Sequence, residues 1–245
     1  VLEQQTFRQN VVEGGGAAAP RRISHGRAAD RQPVYTPDGR WIVFSSDRTG
    51  NLDLWAVAVD TGELRQLTDD PAQDWDPAVG RDGRLFWSSD RSGKYEIWTA
   101  ESDGSGARQL TRDGEDAENP AVSPDGRWVV YGSTRSDESG VWKTRADGSS
   151  PSSPLVRGLL GIPEISPDGR HLLYVGFDAT LTGTRVAVVR LEDGEPAAFE
   201  IVLETIRPTT ANLGRARFMP DGRIAFLGQD ENGTNGVFVQ DFVPG

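Results

Sequence analysis

The chain contains no cysteine, one methionine and two histidines. Disulfides, thiolate metal sites and thiol catalysis are therefore excluded. The two histidines, His25 and His171, show no spacing that marks a metal-binding pair. No apolar run reaches the length needed to span a bilayer, and the start lacks a basic segment followed by an apolar one. Its first residue is Val1 rather than Met, which reads as a processed chain or an excised part of a longer one. Positive charge is also short: 26 Lys and Arg face 37 Asp and Glu, a net of −11. That balance argues against a nucleic-acid partner and against direct contact with an anionic membrane. Catalytic motifs are missing as well. There is no Gly-x-Ser-x-Gly elbow, no Gly-rich phosphate loop, no His-Arg-Asp and no Asp-Phe-Gly, so no enzymatic activity and no cofactor are expected of this segment by itself.

What the chain does have is turns and short apolar runs. Val, Ile, Tyr, Phe and Trp fall in runs of four to eight residues, bounded by Asp-Gly, Pro-Asp-Gly and Thr-Gly, with no 3.6-residue periodicity. The fold expected is all-β. Asp-Gly recurs at Asp38, Asp82, Asp125, Asp168 and Asp221, in steps of 44, 43, 43 and 53, each time followed by Arg and an apolar strand. Five residues before these aspartates stand Pro33, Pro77, Pro120, Pro163 and, in the last copy, Ala216. In the first copy a strand at Pro33 to Tyr35 meets a turn in which Pro37 presets φ and Gly39 takes a positive φ. Strands at Trp41 to Ser45, Leu52 to Val59 and Leu64 to Leu67 follow. Four antiparallel strands per period of about 43 residues is the arithmetic of a propeller blade. Trp55, Trp98 and Trp142 recur at the same place on the third strand, where a large ring fills the wedge between blades.

The pattern P-x-x-S-P-D-G-R, apolar run, S-x-R-x-G, [DE]-[LI]-W, R-Q-L-T is read at Pro33 to Thr68, Pro77 to Thr111 and Pro120 to Val156. It resembles the TolB-type WD-like β-propeller repeat, and the resemblance covers nearly the whole chain. It implies six blades. Residues 6–26 lay onto a third strand, turn and fourth strand, while the last copy supplies three strands, near Arg217, Ile224 to Leu227 and Val237 to Phe242. The expectation is one propeller domain of four-stranded antiparallel blades, six-bladed in the parent protein and incomplete here. Its partial first blade covers residues 1–31, full blades cover 32–70, 71–114, 115–158 and 159–213, and a partial last blade covers 214–245. Exposed blade edges would then be open to self-association. An extended fourth strand at Phe199 to Leu203 and a longer loop account for the step of 53.

Acidic segments at Asp69 to Pro77 and Arg112 to Pro120 precede first strands. Asp74, Asp76, Glu115, Asp116 and Glu118 would hold a cation if they gathered at the channel mouth; the plainer reading, solvated loop acids and no metal, is the one adopted. The segments DRTGNLD and DRSGKYE lack calcium-loop spacing and read as hairpin turns, as does Asn232-Gly233. The residues just before the first-strand Pro, namely Gln32, Asp76, Asn119 and Ile162, with Arg215 in the last copy, differ in every blade while their surroundings repeat. Together with Arg31, Asp74, Trp75, Glu118 and Glu164 they form the candidate binding surface, read as loops at the channel mouth, with Trp75 as its aromatic anchor. The leading expectation is a non-catalytic platform for a protein, peptide or small molecule. The resemblance implies three settings: an extracytoplasmic sensor region such as those of bacterial membrane serine/threonine kinases, which the tail from Gly214 to Gly245 favours; the gating half of a prolyl-oligopeptidase-like hydrolase; or a periplasmic envelope protein that binds a lipoprotein.

Overall fold

A computed structural model describes residues 9–15, 18–135, 139–158, 162–177, 184–194, 207–208, 216–219, 221–230 and 232–242. Every element among them is a β-strand, and the sheets are antiparallel propeller blades. The chain packs as two compact units, residues 1–114 with Glu118–Pro120, and Glu115–Ala117 with Ala121–Gly245.

The first unit opens with a hairpin of β1 (Val12–Gly15) and β2 (Ala18–Arg22). One full blade follows in the order β3 (Asp30–Tyr35), β4 (Trp41–Ser46), β5 (Asp53–Ala58) and β6 (Leu64–Gln66). The next is β7 (Asp74–Val79), β8 (Leu85–Ser89), β9 (Glu96–Ala100) and β10 (Arg108–Gln109). The next blade consists of β11 (Ala117–Val122), of which Glu118–Pro120 group with the first unit, and of β12 (Trp128–Ser133), β13 (Gly140–Arg145) and β14 (Ser153–Arg157) in the second. Three described strands make the following sheet, β15 (Ile162–Ile165), β16 (His171–Phe177) and β17 (Thr184–Arg190). In the last sheet β18 (Arg207–Pro208) and β19 (Arg217–Phe218) pair opposite ends of β20 (Ile224–Gln229), whose other edge pairs β21 (Asn235–Gln240). The first strand of that blade is thus built in two pieces, of which the sequence pattern shows only the second. Phe199 to Leu203 lies outside the described residues.

Local chemistry explains the repeated turn. The hydroxyls of Thr36, Ser123 and Ser166 donate to Asp38, Asp125 and Asp168 at 2.6, 2.5 and 2.5 Å. The same carboxylates accept the N–H of Arg40, Arg127 and Arg170, each at 3.0 Å. Thr36 above all, and then the Arg40 N–H, hold the Asp38 carboxyl below its ordinary pKa. Gly39, Gly126 and Gly169 close the turns at φ 68°, 71° and 72°. A β-branched side chain is strained there, so Gly39→Val, Gly126→Val and Gly169→Val each lower stability by about 1–3 kcal/mol, read as a fall in the thermal midpoint. Unchanged midpoints in all three would contradict this role.

A second device closes the outer strand onto the third. In the first full blade Leu54 N–H donates to Thr68 Oγ at 2.9 Å, while Leu54 C=O accepts from the N–H of Leu67 and Thr68 at 2.8 and 3.3 Å. The next blade repeats this with Ile97, Leu110 and Thr111 at 2.9, 2.7 and 3.2 Å. The opening hairpin repeats it with Val11, Ile23 and Ser24 at 2.8, 2.9 and 3.3 Å. By this clasp Val11 corresponds to Leu54 and Ile97, and Ile23 to Leu67 and Leu110.

The core of the first unit forms between successive sheets. Val43, Leu54 and Ala56 pack against Leu85, Trp87 and Ala100 of the next blade. On the opposite face Ile42, Phe44 and Val57 meet Val11 and Ile23 of the hairpin. In the second unit Val130, Val141 and Leu155 meet Ile165, Leu172 and Val189. Apolar surface removed from water on both faces of each sheet is what fixes the strand register.

Candidate functional site

Two sets of side chains repeat from blade to blade. The first is a buried post of Asp, Ser, Arg and Trp. Arg48 donates to Asp30 at 2.7 Å and to Ser46 Oγ at 2.9 Å, and its guanidinium lies 4.7 Å from the Trp55 ring centre. Arg91 donates to Asp74 at 2.8 and 3.1 Å and to Ser89 Oγ at 3.0 Å, and lies 4.6 Å from the Trp98 ring. In the third full blade only the upper half of the post remains: Arg135 sits 4.0 Å from the Trp142 ring, while Ala117 stands in the place of Asp30 and Asp74 and Ser133 Oγ makes no hydrogen bond among the described residues. Each post ties the loop after the second strand down onto the third-strand tryptophan. Sequence reasoning assigned these arginines no role, although each belongs to the repeated S-x-R. Asp74 belongs to this post: its side chain is 0% exposed and ion-paired, so it contributes to the scaffold beneath the surface. Trp55 and Trp98 are half-buried under their arginines, and Trp142 is buried.

The second set lies in the first strands. Gln32, Asp76 and Asn119 are the described non-glycine residues with positive φ, at 52°, 50° and 57°. All three precede a proline at the same place in successive blades, and the pairing with the second strand slips there, between Arg31 and Val34 and between Trp75 and Ala78. They were expected in loops. The structure instead places Arg31 and Gln32 in β3, Trp75 and Asp76 in β7, and Glu118 and Asn119 in β11. The physical reason is the slip: a bulge lets the strand continue past the proline, which lacks the N–H that a regular ladder needs.

The bulges link neighbouring strands. Gln32 Nε2 donates to Asp76 Oδ1, and Asp76 N–H donates back to Gln32 Oε1 at 3.2 Å. Asn119 N–H donates to Ser88 Oγ at 3.1 Å. Beside this ladder the Arg31 guanidinium stands 5.5 Å from the Trp75 ring centre. Arg31 Nε and Trp75 Nε1 are buried without a hydrogen-bond partner in the protein. The indoles of Trp55, Trp87 and Trp98 share that condition, so Arg31 is the more telling of the two. Arg31, Gln32, Trp75, Asp76, Glu118 and Asn119 thus all belong to the first unit.

In the second unit Arg217 pairs with Glu164 at 2.5 Å, and Ile162 is half-buried at the start of β15. Arg215 lies outside the described residues. Among the described residues no group of three or more His, Asp or Glu side chains is placed to hold a metal ion.

Two grooves open beside the Asp-Gly turns, at the other end of the strands. One, of about 480 Å³, runs past Asp38, Trp41, Arg65, Asp82 and Asp103 in the first unit. The other, of about 790 Å³, is lined by Asp125, Trp128, Lys143, Asp168, His171 and Arg190 in the second. Lys143 is committed there: its ammonium donates to the carbonyls of Leu191 and Glu192 at 3.1 and 2.6 Å, and burial lowers its pKa. Arg65 covers Trp41 at 4.1 Å. Lys143 and the pair of Arg65 with Trp41 are thus engaged within their own grooves.

Comparison with known proteins adds the following. The sequence model of the TolB beta propeller domain matches residues 10–157 and again 48–197. The Tol-Pal system protein TolB of Bordetella pertussis is 40% identical over 53 residues, which make up 22% of this chain and 12% of that protein. An uncharacterized protein of Agrobacterium fabrum is 45% identical over 56 residues, 23% of this chain and 19% of that protein. These matched stretches span less than a fifth of either relative. The crystal structure of TolB from Acinetobacter baumannii has the same fold, with a TM-score of 0.66 at 18% identity, covering 92% of this chain and 58% of that one.

Proposed function

The chain belongs to the TolB beta propeller domain family, and on that premise we propose that it is a non-catalytic binding platform within a larger, extracytoplasmic protein, engaging a protein or peptide through its first strands. One observation carries this reading. Three side-chain-bearing residues, Gln32, Asp76 and Asn119, hold a left-handed backbone at equivalent positions. Such a conformation costs on the order of 1 kcal/mol or more at each site. Asp76 is itself buried, so the strained backbone serves to carry the neighbouring position, where Arg31, Trp75 and Glu118 differ from blade to blade, and that variation supports a surface kept for recognition. Arg31 and Trp75 supply what a hot spot uses, a cation and a large aromatic ring. Periplasmic placement and a sensing role rest on the resemblance to TolB-type propeller repeats and on the tail pattern at Gly214 to Gly245.

The test uses Arg31→Ala combined with Trp75→Ala, because Asp76→Ala would break the ladder with Gln32 as well as the surface. A partner recovered by pull-down from the source organism is titrated against both forms. The double variant keeps its thermal transition and loses at least about 2 kcal/mol of affinity, roughly thirtyfold. Equal affinity for both forms, with loss only when Arg40, Arg84 and Arg127 are replaced, would place recognition at the opposite strand ends.

A further inference from the structure

Beside the bulges one cation is left without a carboxylate. The half-buried Arg31 places its guanidinium 5.5 Å from the centre of the Trp75 ring, on the neighbouring first strand of the same unit. Arg48 and Arg91 hold comparable places over Trp55 and Trp98, and each also binds a buried aspartate, Asp30 or Asp74. Arg31 has the ring and no acid: among the described residues no carboxylate pairs with it. The carboxylates that adjoin Arg31 and Trp75 along the chain are all committed elsewhere. Asp30 accepts from Arg48, Ser24 and Ser46, Asp74 accepts from Arg91, and Asp76 Oδ1 accepts from Gln32. In a chain with a net charge of −11, a half-buried guanidinium without an acid does not come from a shortage of carboxylates. Of its three nitrogens Nε alone is enclosed without a partner, so the two terminal nitrogens keep their hydrogen-bonding capacity for an incoming group.

We propose that Arg31 is the seat of an acidic side chain, Asp or Glu, presented by the partner protein or peptide. The proposal rests on the first strands being the recognition face and names the chemistry that this face takes. A planar guanidinium fork matches a carboxylate through two parallel N–H···O bonds. The Trp75 ring holds that fork in place beforehand, so less side-chain freedom is lost on binding. Half-burial also limits the screening of the new pair by salt. A chain-terminal carboxylate fits less well, because such groups are captured by clusters of backbone N–H. Here the N–H of Asp76 is spent on Gln32 Oε1 and that of Asn119 on Ser88 Oγ.

The probe is a library of random peptides displayed on phage by fusion through their C-termini, so that no terminal carboxylate is free. Panned against the full chain, it yields binders with Asp or Glu at one fixed position. A selected peptide, synthesised with an amidated C-terminus, loses about tenfold in affinity when that acid becomes Asn or Gln, and about tenfold against Arg31→Gln, whose thermal midpoint is unchanged. The two changes together cost no more than either alone, the mark of a direct pair. Arg31→Lys keeps only part of the affinity, because an ammonium retains the charge without the fork. Binders with no fixed acid, or an acid whose removal costs as much against Arg31→Gln as against the unaltered chain, overturn the proposal. If Trp75→Ala still weakens those peptides by about tenfold, the first-strand face stands as the binding surface and only this chemistry falls. Peptides indifferent to Trp75→Ala and Arg31→Gln alike overturn both.

Discussion

Arg91→Ala lowers the stability of the first unit by about 3–5 kcal/mol, because it leaves the fully buried Asp74 carboxylate without its counter-charge. Both carboxylate oxygens of Asp74 accept from one Arg91 nitrogen. The same guanidinium lies on the rings of Trp98 and Trp87, 4.6 and 5.6 Å from their centres, so packing is lost along with charge. Arg48→Ala is the control, and it costs less. Asp30 keeps hydroxyl bonds from Ser24 at 2.5 Å and Ser46 at 2.6 Å after its arginine is removed. Urea unfolding of both variants checks the order. Adding Asp74→Ala to Arg91→Ala recovers part of the loss, since much of the penalty is an uncompensated buried charge rather than a missing attraction. A double variant no more stable than Arg91→Ala would mean that the arginine acts only by packing.

Trp142→Ala costs about 3–5 kcal/mol, the range for deleting a large ring from a site that refills poorly. Trp142 is 3% exposed, opposite Tyr131 at 0%, and capped by Arg135. Trp55→Ala and Trp98→Ala cost less, because those rings are half-buried and solvent already reaches part of their surface. Denaturant midpoints at constant slope decide the ranking. If the three losses are equal, the ring's contribution comes from its arginine cap and not from burial.

These expectations also show which parts of the molecule could be read from the sequence. The Asp-Gly turns were legible because their causes are local: a hydroxyl two residues before the aspartate, the aspartate itself and a glycine at positive φ all sit within five residues of chain. Blade order and the third-strand tryptophans followed from the 43-residue period. Arg48, Arg91 and Arg135 were visible as a repeated S-x-R, yet their function was not, because each reaches across its sheet to an aspartate about 17 residues back or a tryptophan 7 residues on. Asp74 read as a loop acid for the same reason: only its pairing with Arg91 makes burial tolerable. Gln32, Asp76 and Asn119 stood out as variable; Asp and Asn are types that tolerate a left-handed backbone, but Gln is not one of them, and the shared conformation shows only in the structure. The following proline disfavours helical geometry without specifying the alternative. The two-piece first strand of the last blade was hidden because Arg207–Pro208 pairs with Gly228 and Gln229 across a long span of chain.

The claim that the first strands form the recognition face is tested most directly by a photo-reactive residue placed in turn at positions 32, 75 and 119, and at 40, 84 and 127, in the cell that makes the protein. The account predicts that one partner is captured from the first three positions and from none of the others. Capture from 40, 84 and 127, with none from 32, 75 and 119, would contradict it and move the functional surface to the grooves beside the Asp-Gly turns.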